Sequence, residues 1–187
     1  MFNIILASNS PRRKELLAGL GMPFEVRVLK DIDESYPEDL PVSEVALHIA
    51  GKKADAYRAI VRDDELIITA DTVVIVDDEI LGKPVDEADA VRMLRLLSGR
   101  THQVTTGVCL LTATQERRFA VTTDVTFKAL SDEEIHYYVT TYKPFDKAGA
   151  YGIQEWIGYI GVTCLHGSYY NVMGLPVQRI YEAIRTF

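Results

Sequence analysis

The sequence predicts an α/β fold of the mixed α+β kind, one long mixed β-sheet flanked by helices, and three observations support it. Strand-like apolar runs and helical stripes intermix along the chain without a strict βαβ rhythm. Residues 102–112 and 117–127 alternate well enough to form a long antiparallel hairpin, large enough to be a lobe of its own. At 187 residues the chain has the length of one domain with a proper core. No repeat, low-complexity tract or linker divides it, so 1–187 reads as a single domain.

Taken in order, residues 3–7 (NIILA) read as a short buried strand, and Ser10 with Pro11 supplies an N-cap and first helical position. Leu16, Leu17 and Leu20 give that helix its apolar stripe, and Gly21 ends it. A strand at 24–29 leads into an acidic loop, DIDESYPEDLP. The spacing of Val45, Ile49 and Tyr57 predicts a helix from about Ser43 to Val61, with Lys53 on the same stripe.

ELIITADTVVIVDDEILGKP follows as an apolar strand, a DDE turn and a second short strand. Asp86 caps a helix whose Val91, Leu94 and Leu97 face inward before Ser98 and Gly99 stop it. SDEEI is a capping box opening a further helix that Pro144 terminates. The glycine-rich loop DKAGAYGIQE precedes a strand pair around WIGYIGVTCL and a polar turn, GSYYNVMGL. A last helix starts at Pro176 with Ile180, Tyr181 and Ile184 inward.

Composition is that of a globular protein, 48% hydrophobic and 25% charged. A net charge of -7 argues against a nucleic-acid partner, so any anion site must be local. Cys109 and Cys164 lie in apolar contexts and read as buried free thiols of a reducing compartment. The N-terminus lacks the character of a signal peptide, and no run of 18 apolar residues appears, so the expectation is a cytoplasmic protein without a membrane partner.

The chemistry begins at LASNSPRRKELLAGLG, where Arg12, Arg13 and Lys14 occupy the first turn of a helix. Cations are mildly unfavourable there, because that end carries the positive pole of the helix dipole. With Ser8, Ser10 and the backbone N–H groups, Arg12 and Arg13 would form a cradle for phosphate or carboxylate, the alternative being cations that simply extend into solvent. Lys53, on an apolar stripe, either snorkels at an edge or serves as a second cation.

Asp71 interrupts the apolar run LIITADTVVIV, where an unanswered carboxylate is costly. It reads as a carboxylate at a strand end that binds a metal or acts as a base, the alternative being a simple turn. Glu34 is one of several acids in its loop, and spacing alone does not choose among them. Lys83 in LGKP reads as an exposed lysine, and Gln154 either reads a base edge or does nothing.

No P-loop, Rossmann fingerprint, GxSxG elbow or CxxC occurs, and His48, His102, His136 and His166 are scattered without zinc-ligand spacing. Tyr169, Tyr170 and Trp156 can stack on a base or fill a core. Separated cations, a helix N-terminus and carboxylates describe a site for a polyphosphate with Mg²⁺. From the residues alone the reading stops at a phosphate-ester hydrolase.

Over its whole length the chain resembles the Maf family of nucleoside triphosphate pyrophosphatases, through LASNSPRRKELL, ADTVV, LGKP, LSGRTHQV, DKAGAYGIQ and GSYYNVMGLP. The resemblance implies a long mixed sheet in two lobes with a central cleft, related to the inosine triphosphatase fold, and a homodimer. It implies hydrolysis between the α and β phosphates, giving a nucleoside monophosphate and pyrophosphate. Ser8, Arg12, Arg13, Lys53 and Lys83 would bind the triphosphate. Glu34 and Asp71 would hold a divalent cation, Mg²⁺ or Mn²⁺, and Asp71 would accept the proton of the attacking water.

Arg12, Thr72 and Gln154 look like the subgroup acting on dTTP and UTP. The continuation EWIGYIG departs from that subgroup's shorter glycine-rich stretch. Two other roles fit the same resemblance: a nucleotide-binding regulator of cell division and septum formation, and an inosine/xanthosine triphosphatase.

Overall fold

Local chemistry sets most of the element boundaries. A computed structural model describes residues 2–187. Along the chain run β1 (Asn3–Leu6), α1 (Pro11–Ala18), β2 (Phe24–Val26), α2 (Val42–Asp55), β3 (Glu65–Val76) and β4 (Glu79–Leu81). They are followed by α3 (Glu87–Leu97), β5 (Thr101–Leu111), β6 (Glu116–Phe127) and α4 (Asp132–Tyr142). The chain closes with a 3₁₀ turn (Ala148–Ala150), α5 (Trp156–Gly161), β7 (Val162–His166), α6 (Tyr169–Met173) and α7 (Val177–Arg185).

Ser10 caps α1, its hydroxyl accepting from the Arg13 N–H, with Pro11 first in the helix. Asp86 does the same for α3 at Asp89, and Ser131 with Glu134 closes a reciprocal capping box on α4. Lys143 adopts φ 47° and ends α4 in the left-handed region just before Pro144. Asp77 and Asp78 both have positive φ, the geometry of a two-residue hairpin turn between β3 and β4.

Among the described residues the sheet has seven strands, in the order β2-β1-β3-β5-β6-β7 with β4 paired to β3. β1 runs parallel to both β2 and β3, whereas β3–β4 and β6–β7 are antiparallel, so the sheet is mixed as expected. β5 and β6 are neighbours joined by residues 112–115, which makes the anticipated hairpin. Thr101 bonds Thr126 and Thr105 bonds Thr122 across it.

The chain divides into two compact units. One contains residues up to Thr72, Thr106–Val121 and Gly174–Phe187; the other contains Val73–Thr105 and Thr122–Met173. In the first, Ala54 and Tyr57 pack on Ile5, Ile67, Cys109 and Leu111. Gly107 makes that contact possible: a β-carbon there would fall inside the backbone of Ala46 and Leu47, so α2 lies directly on β5. Glu65, 2% exposed, accepts a two-pronged Arg27 at 2.7 and 2.9 Å, and this pairing holds its carboxyl below the ordinary range. The second unit is built around Leu94, Leu97, Phe127, Tyr138, Tyr151 and Ile157, among others.

Several local expectations are corrected. The stretch around WIGYIGVTCL is a short helix followed by one strand, not a strand pair. Its aromatic and branched residues favour strands. Gly158, where a β-carbon would overlap the Ile153 carbonyl, lets the backbone wind tightly there instead. GSYYNVMGL contains a helical turn, α6, rather than only a polar turn. On α7 the buried stripe is Val177, Ile180 and Ala183, and Tyr181 is exposed. α2 stops at Asp55 and β2 at Val26, shorter than their patterns suggest. Cys109 is buried, but Cys164 sits exposed on β7.

Candidate active site

Asp71 does not end a strand. β3 runs through it, neighbouring β5 and pairing with β1 up to Ile68 and with β4 from Val74, and residues 71–72 are the half-buried stretch between the β1 and β4 pairings. This placement presents a carboxylate from a rigid strand where neither pairing covers it. Its side chain is 16% exposed and lies 2.8 Å from Lys53 Nζ.

Lys53 comes from the last turn of α2, and its ammonium also pairs with Glu34 Oε1 at 3.2 Å. One lysine thus draws together two carboxylates from distant parts of the sequence. Glu34 reaches it because its loop is held on both sides. The adjacent lysine, Lys52, bonds Asp33 Oδ2 at 2.5 Å, the Ser35 carbonyl at 3.0 Å and the Ser35 hydroxyl at 3.2 Å. That contact holds the Asp33 carboxyl well below the usual carboxylate range. The sequence did not single out Lys52 or Asp33; two consecutive lysines facing an acidic loop were the available signal.

Arg13 turns into the protein. Its Nε donates to the Gly174 carbonyl at 2.8 Å, Nη1 to the Ala70 carbonyl at 2.9 Å and Nη2 to the Thr72 hydroxyl at 3.2 Å. The guanidinium therefore grips the residues on either side of Asp71. Burial pushes its pKa below the ordinary value, opposed by the charge of Asp71; Arg12 adds to the lowering and Glu34 opposes it. Gly174, at φ 117°, lets the chain close on this group: a β-carbon there would stand 3.6 Å from Thr72 Oγ1 and 3.8 Å from Arg13 Nε. Thr72 also bonds Thr106 at 2.9 Å.

Ser8 is buried between β1 and α1, its hydroxyl accepting from the Ser10 N–H at 3.2 Å. The first unit thus carries Ser8, Arg12, Arg13, Glu34, Lys53, Asp71 and Thr72. The first turn of α1 contains no acidic residue.

The second unit carries Lys83 and Gln154. Lys83 is exposed, as its sequence context suggests. LGKP and DKAGAYGIQ meet there, the Gly149 N–H donating to the Gly82 carbonyl at 3.0 Å. Gly149 needs its positive φ of 67°, and a β-carbon on it would press on Val74.

The loop is held by a network that sequence reasoning missed. Lys147, 8% exposed, pairs with Asp146 at 2.8 Å and Glu155 at 3.1 Å. The Tyr138 hydroxyl donates to Glu155 and accepts from the Gly152 N–H at 3.0 Å. A lysine inside a run of small residues was the only hint.

His102, 1% exposed, anchors the same loop through Tyr151 at 2.6 Å. Burial lowers its pKa from 6.5 to about 4. The folded protein keeps the ring neutral while the unfolded chain protonates it, so this stability is present above pH 6.5 and is lost as pH falls towards 4. The expected loss over that window is about 3 kcal/mol. Denaturant titrations at pH steps should show it in the wild type and not in His102→Gln; parallel curves would refute it.

Among the described residues no group of three His, Cys, Asp or Glu side chains converges as a metal site. The pair Glu34 and Asp71 fits Mg²⁺ or Mn²⁺ only in the manner of phosphate enzymes, where one or two carboxylates share the ion with phosphate oxygens and water. No helix among the described residues is long and apolar enough to cross a membrane.

These features define a class: an α/β protein that gathers two carboxylates, a shared lysine and a pair of arginines beside a serine-lined helix N-terminus. Such a site suits an anionic substrate and proton transfer. The family model described as Maf-like protein matches residues 3–187, and the chain belongs to that family. A protein of Phocaeicola vulgatus named dTTP/UTP pyrophosphatase is 60% identical over 184 residues, which cover 98% of this chain and 95% of that one. A Bacteroides thetaiotaomicron protein of the same name is 58% identical over the same shares of the two chains. The Flavobacterium johnsoniae protein of that name is 47% identical over 185 residues, 99% of this chain and 95% of its own. A solved structure titled as a HAM1 protein from Coxiella burnetii aligns across 100% of both chains at 13% identity and a TM-score of 0.46.

Proposed function

We propose that this protein hydrolyses nucleoside triphosphates, dTTP and UTP foremost, between the α and β phosphates, releasing a nucleoside monophosphate and pyrophosphate. The observation that carries the reading is the Lys53-centred pair of carboxylates, with Asp71 held from both sides by Arg13. The names of relatives at 58 and 60% identity supply the substrate class.

In this mechanism the Ser8 hydroxyl meets a phosphate oxygen, and Arg12, Lys53 and Lys83 neutralise phosphate charge. Arg13 spends three donors on the protein and keeps two of its five N–H groups for phosphate. Asp71 takes the proton from the attacking water as the bond to the leaving pyrophosphate breaks. Glu34 and Asp71 are the residues that would hold a divalent cation; when bound it neutralises phosphate charge and makes water a stronger acid. Arg12, Thr72 and Gln154 set the choice of base. The protein works as a homodimer in the cytoplasm.

The test is a panel of canonical and modified nucleotides with Mg²⁺, assaying pyrophosphate and orthophosphate separately. Pyrophosphate as the first product, with dTTP and UTP fastest, and loss of turnover on chelation are expected. Inosine triphosphate turning over faster than dTTP would overturn the base assignment. Orthophosphate appearing first would overturn the site of cleavage, and tight binding of every nucleotide without turnover would overturn the enzyme.

A further inference from the structure

Residues 27–41, between β2 and α2, form neither helix nor strand, and the Glu34 side chain among them is 56% exposed. A segment of that kind has much conformational freedom to lose, and a single exposed ion pair holds it weakly. Glu34 nevertheless stands 3.2 Å from Lys53 Nζ, on the ammonium that Asp71 shares. Something besides that pair must place it.

The residues on either side of Glu34 are tied to each other and then to α2. Asp33 Oδ1 accepts from the Ser35 N–H at 2.9 Å and Oδ2 from the Ser35 hydroxyl at 2.9 Å, a tight turn whose middle residue is Glu34. Onto this turn Lys52 Nζ donates three times, to Asp33 Oδ2 at 2.5 Å, the Ser35 carbonyl at 3.0 Å and the Ser35 hydroxyl at 3.2 Å. An ammonium has three N–H donors, so Lys52 keeps none for a phosphate. Consecutive helical residues point about 100° apart, and Lys52 and Lys53 accordingly straddle the loop, one taking Asp33 and the other Glu34. Just beyond α2, the Tyr57 hydroxyl ties down the start of the same segment, donating to the Arg27 carbonyl at 2.7 Å and accepting from the Leu29 N–H at 3.0 Å.

We infer that Lys52 is a positioning residue: by gripping Asp33 and Ser35 it fixes Glu34, and not its neighbouring acid, beside Asp71, and this hold gives the two carboxylates their joint affinity for a divalent cation. A carboxylate already in place costs less to bring to the ion than one drawn from a free loop. This rests on the reading of Glu34 and Asp71 as the pair suited to a cation.

The experiment compares wild type, Lys52→Met, Asp33→Asn, Glu34→Gln and the double variant Lys52→Met with Glu34→Gln. It measures Mn²⁺ affinity by electron paramagnetic resonance with a non-hydrolysable UTP analogue bound, calorimetric binding of that analogue without metal, kcat for UTP with Mg²⁺, and Tm. Asp33→Asn removes the charge at the other end of the contact with almost no change of shape, and it carries the test if Lys52→Met does not fold. Lys52→Met and Asp33→Asn should each weaken Mn²⁺ binding about tenfold and lower kcat by a similar factor, the scale of losing a group that orients a metal ligand. Metal-free binding of the analogue should stay within roughly twofold, since Lys52 has no donor to give it. In the Glu34→Gln background Lys52→Met should cost no more than about twofold further, because the carboxylate it positions is already gone. Equal losses from Lys52→Met with and without Glu34, or metal-free nucleotide binding weakened about tenfold, overturn the inference by assigning Lys52 to general stability or to the phosphates. Mn²⁺ affinity lost in Glu34→Gln but unmoved in Lys52→Met and Asp33→Asn overturns the inference and leaves the reading of Glu34 standing. Mn²⁺ affinity and turnover unmoved by Glu34→Gln overturn both.

Discussion

Asp71→Asn should lower turnover by about 10³-fold while nucleotide binding stays measurable, the scale of losing a positioned general base. The substitution keeps the shape of the side chain, so β3 and its pairing with β1 and β4 are unaffected. Lys53 retains Glu34 at 3.2 Å, which keeps the ammonium from being stranded. What disappears is the proton acceptor of the proposed mechanism and one of the two carboxylates suited to a cation. The measurement is pyrophosphate release under saturating substrate, alongside calorimetric binding of a non-hydrolysable triphosphate. Turnover within roughly tenfold of wild type would assign proton abstraction to another group.

Arg13→Lys should cost both stability and rate. One guanidinium spans two carbonyls and a hydroxyl at 2.8 to 3.2 Å, a fork that an ammonium cannot reproduce. The carbonyls of Ala70 and Gly174 lose strong donors in a part-buried place, and about 3 kcal/mol is expected from such losses. For a chain of this size that lowers Tm by about 10 °C. Ala70 and Thr72 flank Asp71, so kcat should fall by more than KM rises as the carboxylate loses its fixed place. An unchanged Tm with a rise in KM and weaker pyrophosphate inhibition would show instead that the guanidinium serves only the phosphates.

The comparison of Arg13 with Asp71 shows what could be read from sequence. Asp71 stood out because an acid in LIITADTVVIV breaks a local pattern, and local patterns are visible in one dimension. The capping residues Ser10, Asp86 and Ser131 were legible for the same reason, each acting within three residues of itself. Arg13 also stood out, as a cation at the unfavourable end of a helix, but its partners lie 57, 59 and 161 residues away. The anomaly was legible and the direction of the side chain was not.

The same limit explains the other gaps. The chain from Lys147 through Glu155 and Tyr138 to Gly152 joins a loop to a helix by one buried hydroxyl. No spacing rule announces such a bond. In α5 the residues prefer strands, and a tight contact at Gly158 decides otherwise, so tertiary structure overrides propensity. Cys164 followed a pattern that implied burial, yet it lies on β7, which among the described residues pairs with β6 alone, at one end of the sheet order.

Gly107 bears on how freely Lys53 can move. With no side chain between α2 and β5, the helix rests on the strand backbone to backbone, and no intervening rotamer can swell or shrink that distance. The remaining freedom of the ammonium is the set of torsions of its own side chain. The two carboxylates pair with an ammonium whose backbone is already fixed, so little conformational entropy is left to lose when the group takes up its place.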